Sequence, residues 1–468
     1  MLWISWTWRL STACVTRNHA LTVAGLLASV VFAAYFNSFS GVFQFDDYNV
    51  IVGDPVVHSW NAWIANLGHG IRPLLKFSYM LNWISGLGIT GFHLVNMFIH
   101  LCNAGLVFLL ARHFVRHHPL QLHPVHAPLL AALLFAVHPI HTEAVTYISG
   151  RSSSLMTLFY LSGLLAYASG RLRSSRILLY FIAPLTFIAA ISVKESAITF
   201  PMALLTWELC SGGTWRTVIR YQWPYWVVFS ACALFFLGDA HYWSLMSASA
   251  QMNNLQVNFF TQIGAFSHLM NQWVWPLQLN ADPDLPVIHG FAAVPLQTFI
   301  FGLIIMVAGI MLRKRPWVSF ALIWAIVHLL LLYLFFPRAD IANERQMYLA
   351  GWPLFLVIAI ELTVWLRGRT LVIAGTLLVL ALGCLTVARN QIYVSEVAYW
   401  ADAVSKSPHK ARTQNNLGYV LLLMDRREDA RKAFMAALQI DPGFARARNN
   451  LARLDAPQDA EIIPLGNR

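Results

Sequence analysis

The stretch TLVIAGTLLVLALGCLTVA, residues 370–388, decides the fold. It carries no charge, and Arg369 and Arg389 bracket it. Coiled as a helix, a run of about 20 apolar residues reaches about 30 Å, the hydrocarbon thickness of a bilayer. Moving outward, comparable runs recur at 19–38, 92–111, 127–147, 153–169, 177–193, 196–210, 223–238, 295–312, 317–336 and 347–365. Eleven spans of this kind predict an all-α, polytopic membrane protein. Residues 21–36 have the length of a signal-peptide core, but no A-x-A cleavage site follows, so the first run reads as a retained helix. The stretch 258–279 is ambiguous. Gln262, His268, Asn271 and Gln272 interrupt it, and Trp273 and Trp275 sit near its end, so it reads as an interfacial or re-entrant segment rather than a crossing.

Composition supports the same class. Of 468 residues, 58% are apolar and 11% charged, with 18 Trp and a mean hydropathy of +0.57. Soluble domains carry about 25% charged residues, which excludes an ordinary cytosolic enzyme and a disordered chain. The five cysteines (Cys14, Cys102, Cys210, Cys232, Cys384) are scattered, with no C-x-x-C. They form neither a zinc site nor a disulfide framework.

The net charge of +11 is distributed as topology signal, not as a groove for nucleic acid. With a cytoplasmic N-terminus and 258–279 not crossing, 14 Lys/Arg preceding residue 389 fall inside and six outside. Of the 12 carboxylates before that point, only Glu208 and Glu361 fall inside. Asp46, Asp47, Asp54, Glu143, Glu195, Asp239, Asp282, Asp284, Asp340 and Glu344 fall outside. Acids close to a membrane are costly and mark function, so the pattern predicts an outward-facing polar cavity.

Residues 396–455 change character: they are charged, Ala-rich and helix-prone. A period of 34 is visible, with Trp400, Ala403, Pro408 and Asn415-Asn416-Leu417 matched by Phe434, Ala437, Pro442 and Asn449-Asn450-Leu451. This is tetratricopeptide spacing, giving one full repeat and two halves. So short an array leans on a neighbour for stability. The expected division is a membrane domain over 1–390, a repeat unit over 396–455 and a disordered tail over 456–468.

Several outer motifs carry candidate chemistry. Phe45-Asp46-Asp47-Tyr48 places two adjacent acids just past the first span, one to act as a general base and one to orient it. Arg72, Lys76, Arg151 and Arg345 are candidate phosphate ligands, because guanidinium and ammonium groups bind phosphate oxygens well. His138-Pro139-Ile140-His141-Thr142-Glu143 reads as a polar lining, and His141 with Glu143 is also a weak candidate for a divalent cation. Lys194, Glu195, Asp282, Asp284, Glu344 and Tyr348 complete the expected cavity. By contrast, Gly86-Leu87-Gly88-Ile89-Thr90-Gly91 matches G-x-G-x-x-G only literally. With no βαβ context among membrane helices it is a loop. His113, His117, His118 and His123 read as solvated residues of an inner loop.

One carboxylate base with several cations suits transfer from a sugar phosphate. The leaving phosphate needs charge stabilisation rather than a second acid, unlike a glycosidase. Nucleotide sugars are made in the cytoplasm while these motifs face outward, so the donor is expected to be lipid-linked. The serial motifs Phe-Asp-Asp, Arg72-Pro73-Leu74, His-Pro-Ile-His-Thr-Glu-Ala-Val with Ile148-Ser149-Gly150-Arg151, Lys194-Glu195, Asp-x-Asp-x-Pro and Glu-Arg-x-x-Tyr-Leu resemble the transmembrane-and-tetratricopeptide O-mannosyltransferase family. The resemblance runs over about residues 40–454. It implies a C-type glycosyltransferase using a polyprenyl-phosphate sugar, mannose in the first instance, with inversion at the sugar. It implies transfer to a hydroxyl of an exported protein or envelope glycan, with Asp46 rather than Asp47 as the base. The expected partners are therefore the lipid-linked donor, membrane lipid, that acceptor and a protein docked on the repeat, with no nucleic acid. The expected location is a bacterial inner membrane with the active face and repeat on the periplasmic side. Two other readings stay open: a lipid or glycan transporter, and a non-catalytic membrane scaffold with a partner-binding repeat.

Overall fold

The computed structural model describes residues 17–68, 71–117, 123–252, 254–335, 337–338 and 340–455. Arg9, Cys14, His118 and the tail 456–468 lie outside the described residues. The chain is an all-α polytopic membrane protein, and no strand forms among the described residues. The helices are α1 (Arg17–Tyr35), α2 (Trp60–Asn66), α3 (Pro73–Ile84), α4 (Gly88–His117), α5 (His126–Val137), α6 (Thr142–Val145) and α7 (Arg151–Arg173). There follow α8 (Ala183–Val193), α9 (Phe200–Cys210), α10 (Trp215–Gly238), α11 (Ala240–Met252), α12 (Leu255–Val274), α13 (Pro295–Lys314), α14 (Pro316–Ile326) and α15 (Leu332–Phe335). The last are α16 (Met347–Ala350), α17 (Trp352–Trp365), α18 (Gly368–Asn390), α19 (Glu396–Lys406), α20 (Ala411–Leu423), α21 (Arg427–Ile440) and α22 (Ala445–Asp455).

Among the described residues, five segments are long and apolar enough to cross a bilayer: Ala20–Ser40, Gly88–Arg116, Pro295–Lys314, Pro316–Phe335 and Gly368–Val394. Three bent pairs qualify as single broken spans: His126–Val137 with Pro139–Val145 at 55°, Trp215–Gly238 with Tyr242–Ser249 at 83°, and Glu344–Ala350 with Trp352–Trp365 at 58°. These eight coincide with eight of the eleven expected runs. The other three expected runs lie on α7, on the shorter apolar helix Leu178–Val193 and on α9. α7 opens with Arg151 and three serines, all buried in protein. A helix enclosed by its neighbours does not face lipid and needs no continuous apolar surface. The ambiguous 258–279 stretch is α12, outside the set of apolar spans. Its Asn258 amide donates to the carbonyls of Tyr333 (2.8 Å) and Leu334 (2.6 Å), which ties it to the end of the α14–α15 span.

The breaks have local causes. His138-Pro139 ends α5, since proline disfavours helical backbone before it and lacks an N–H to continue the ladder. Proline also opens α3, α13, α14 and α17 in the first turn, where no intrahelical N–H bond is lost. At Gly150 a Cβ would lie 2.0 Å from the carbonyl oxygen of Glu143. Only glycine lets the Ser149-Gly150-Arg151 turn fold back on the α6 segment. The two acids expected on the inner side are ion-paired, Glu208 to Arg171 at 2.8 Å and Glu361 to Arg315 at 2.6 Å. The Gly86–Gly91 motif is a turn running into α4, with Gly86 at φ +70° and Gly88 at φ +56°. His113 packs against Trp207, ring centroids 5.6 Å apart.

After α18 the chain turns through 391–394 into α19–α22, an antiparallel stack with the 34-residue offset of its sequence. Trp400 and Phe434 occupy matching buried positions, as do Ala403 and Ala437. Gly418 lies so close to Phe434 that a Cβ would sit 2.7 Å from its ring. The small residue of the repeat pattern is thus a packing requirement between α20 and α21.

Candidate active site

The structure separates the two adjacent acids. Asp47 is fully buried. Its Oδ2 accepts the Gln44 N–H (2.9 Å) and its Oδ1 accepts the Ser149 N–H (2.7 Å). It therefore pins the loop after α1 to the turn before α7. Burial outweighs these bonds and pushes its acid up to about 7. Asp46 is half-buried. Its backbone N–H donates to the Tyr147 hydroxyl at 3.0 Å. No hydrogen bond or ion pair to its carboxylate forms among the described residues. Phe45 immediately before it has φ +34°, a conformation that costs energy for a residue with a Cβ and persists where surroundings over-determine it.

Arg345, Lys194 and Arg72, from distant parts of the chain, lie within electrostatic reach of one another. Arg345 lies within electrostatic reach of Asp46 and Tyr147. Its backbone N–H and Nε both engage the buried Glu143, at 2.8 and 3.4 Å. Lys194 donates to the Ser153 hydroxyl (2.8 Å). Its ammonium is held well below the usual range, first by burial and then by Arg345, Arg72 and Arg338. Arg72 caps α3 in a left-handed conformation (φ +54°). It grips Glu195 with Nε 3.0 Å and Nη2 2.8 Å from the carboxylate oxygens. Burial alone would raise Glu195, but the guanidinium overrides it and holds the acid below its ordinary value. A small cavity lined by Ser153, Lys194, Ser196, His328, Arg345 and Gln346, among others, opens between these groups. The cations of the loop after α2, the α8–α9 junction and the segment before α16 therefore converge on one another, and one of them, Arg345, reaches the free carboxylate of Asp46.

Other expected site residues are placed elsewhere. Lys76 pairs with Asp54 at 2.9 Å within the segment between α1 and α4. Arg151 is wholly enclosed. It donates to Asn96 Oδ1 (2.6 Å) and to the carbonyls of Ser78 and Phe92 (both 3.1 Å), and lies over the Tyr79 and Phe92 rings. A guanidinium so occupied braces α3, α4 and α7 beneath the acid loop. His138 accepts the Ile140 N–H (3.3 Å) at Nδ1 and so donates through Nε2 to the Trp273 carbonyl (3.0 Å). His141 bonds the Phe135 carbonyl at 2.8 Å. Tyr348 meets His100 (2.7 Å) and Asn103 (3.1 Å). These three form an aromatic and imidazole core under the site. Among the described residues no three His, Cys, Asp or Glu side chains converge to hold a metal. Glu344 pairs with Arg389 at 3.2 Å, and Arg389 with Asp402 of the repeat at 2.8 Å.

Asp282 binds the repeat. It is buried and ion-paired to Lys410 (2.6 Å) and to Arg412. Asp340 takes another arm of Arg412 at 2.6 Å. Asp284 is exposed. Sequence reasoning missed Tyr147, Arg338, Asn96, Arg389 and Glu396. Tyr147 sits inside the 138–151 motif run and carried a local signal, a phenol at the end of a span. The others acquire meaning only from contacts far along the chain.

No protein-family model matches the chain, and no solved structure is significantly similar to it. Among proteins of known name it is similar to the protein O-mannosyl-transferase F38B6.6 of Caenorhabditis elegans, 25% identical over 90% of this chain and 63% of that one. It is also similar to the mouse protein O-mannosyl-transferase TMTC3, 25% identical over 92% of this chain and 52% of that one. The protein O-mannosyl-transferase Tmtc1 of Drosophila melanogaster is 36% identical over a shorter stretch, 40% of this chain and 23% of the fly protein. The chain thus resembles the O-mannosyltransferases over most of its own length. It spans about half to three-fifths of the first two relatives' length.

Proposed function

We propose that the chain is a membrane glycosyltransferase that moves a mannose-like sugar from a polyprenyl-phosphate donor to a hydroxyl of an exported protein or envelope glycan. The named relatives, all O-mannosyl-transferases, support a sugar transferase acting on protein. The observation that carries the mechanism is the division of labour between the acids: Asp47 is consumed by the loop, and Asp46 is left with a free carboxylate beside Arg345. In this reading Asp46 takes the proton of the acceptor hydroxyl as its oxygen attacks the anomeric carbon. The bond from that carbon to the phosphate oxygen breaks on the opposite face, which inverts the centre. The departing lipid phosphate carries the negative charge toward Arg345, Lys194 and Arg72. Lys194, whose surroundings hold its ammonium below the usual range, gains an opposite charge when a phosphate arrives, and that pair strengthens binding of the leaving group.

The proposed setting is a bacterial inner membrane, with the site and the repeat unit on the periplasmic side. The membrane domain occupies 1–390 and the repeat 396–455. The test is transfer by the purified full chain, offered a panel of polyprenyl-phosphate sugars and periplasmic extract, with Asp46→Asn beside it. Transfer from a mannose lipid that disappears in the variant is the expected result. Full transfer by Asp46→Asn overturns the mechanism. A folded preparation inactive with every donor favours the scaffold reading.

A further inference from the structure

The loop that presents Asp46 is built against the first helix of the repeat, not against the membrane helices alone. Four consecutive backbone N–H groups are tied. Gln44 donates to Asp47, Phe45 to Glu396 Oε1 (3.3 Å), Asp46 to Tyr147 (3.0 Å) and Asp47 to the Gln44 carbonyl (2.7 Å). Glu396 also lies within electrostatic reach of the Tyr48 hydroxyl. The Phe45 ring stands edge-on to Trp400, centroids 5.2 Å apart. The Gln44 side chain donates to the Tyr393 carbonyl at 2.9 Å. Tyr147 is itself stacked on Tyr393 and Tyr399, at 6.5 and 6.3 Å. The helix is aimed by its own cap, with Ser395 accepting the Ala398 N–H at 3.1 Å. Glu396 is its first residue.

We propose that α19 is part of the active site and that Glu396, with Trp400, is a positioning residue for the base. The left-handed backbone at Phe45 directs the Asp46 carboxylate, and it is held by an acceptor and a ring from the repeat. Without them the loop relaxes toward ordinary φ and Asp46 swings away from the acceptor oxygen. A displacement of about 1 Å at a reacting group costs up to about 100-fold in rate. The repeat is therefore required for turnover even with acceptors too small to touch its surface.

This inference rests on Asp46 being the base, and the experiment separates the two. The full chain is reconstituted in vesicles with the lipid-linked sugar that supports transfer, and kcat and KM for that donor are measured for Glu396→Ala, Glu396→Gln and Trp400→Leu. Expected for Glu396→Ala is a fall in kcat of about 10- to 100-fold with donor KM unchanged, and recovery of most of it in Glu396→Gln, whose amide oxygen still accepts the Phe45 N–H. Combined with Asp46→Asn, Glu396→Ala should add nothing, because it acts only through that carboxylate. If Glu396→Ala does not fold, Trp400→Leu gives the same test with the apolar contact kept. Wild-type kcat in both, a change confined to KM, or additive losses in the double variant overturns the positioning role. Full activity of Asp46→Asn itself instead removes the base on which the inference stands.

Discussion

Exchanging each acid of the Asp46–Asp47 pair for asparagine should produce two different kinds of damage. Both Asp47 oxygens face backbone N–H groups, at 2.9 and 2.7 Å. A neutral acid still accepts on both oxygens, but a carboxamide nitrogen has no lone pair to offer. Asp47→Asn therefore leaves one buried N–H facing another donor, at a cost of about 1–3 kcal/mol. Concentrated in one loop, that speeds local opening by roughly 5- to 150-fold. Hydrogen exchange should show it at the amides of Gln44 and Ser149. The Asp46 carboxylate accepts nothing from the described residues, so Asp46→Asn should leave those amides at wild-type protection. Its transfer rate should still fall about 10²- to 10⁴-fold, the usual worth of a general base. If Asp46→Asn opens the loop as much as Asp47→Asn does, or if Asp47→Asn leaves exchange untouched, the division of labour is refuted.

Removing Arg345 should be costly for stability as well as for transfer. Arg345→Ala strands the buried Glu143, and breaking such a pair costs about 3–5 kcal/mol, which the midpoint of thermal unfolding in detergent would report. Asp282→Asn should loosen the repeat by about 1.5–3 kcal/mol, since charge-assisted bonds to Lys410 and Arg412 are weakened. Limited proteolysis should then cut sooner near residues 407–410, while an unchanged pattern counts against docking through this carboxylate. Stability should also depend on pH through Asp47. Its acid is raised to about 7 in the folded chain against about 3.9 unfolded. The folded state thus binds the extra proton between those values, and stability falls as pH rises from about 4 to about 7. The difference in unfolding midpoint between wild type and Asp47→Asn should change over that window and stay flat above it.

Much of this architecture is written locally. The run 370–388 is helical and apolar whatever surrounds it, and so are the segments in 19–38, 92–111 and 295–312. The energy of placing such a helix in lipid is a sum over its own residues. The 34-residue period is legible in the sequence for a similar reason, since each repeat packs against the next. The enclosed helix α7 shows where this logic stops. Residues 153–169 read as one more apolar run, yet protein rather than lipid surrounds the helix's serines and Arg151, and no local sum records that.

The candidate site divides in the same way. Sequence alone collected the acids and bases expected on one face of the membrane, because charge near a membrane is expensive wherever it occurs, and it marked Asp46, Arg345 and Lys194 as worth keeping. It did not assign their partners. Lys76 turned to Asp54, Arg151 to Asn96 and the carbonyls of α3 and α4, and Asp282 to the repeat. Asp47 became a fastener while its neighbour stayed free. An ion pair or a hydrogen bond is decided within about 4 Å, between groups that lie from about 20 to about 350 residues apart in the chain. Hydropathy belongs to each residue and can be read from it, whereas a partner belongs to a packing arrangement. The span segments and the repeat were therefore determined by the sequence itself. Which carboxylate is left free, and that the repeat's first helix braces it, was decided only when the tertiary structure brought Phe45, Tyr147 and Glu396 together.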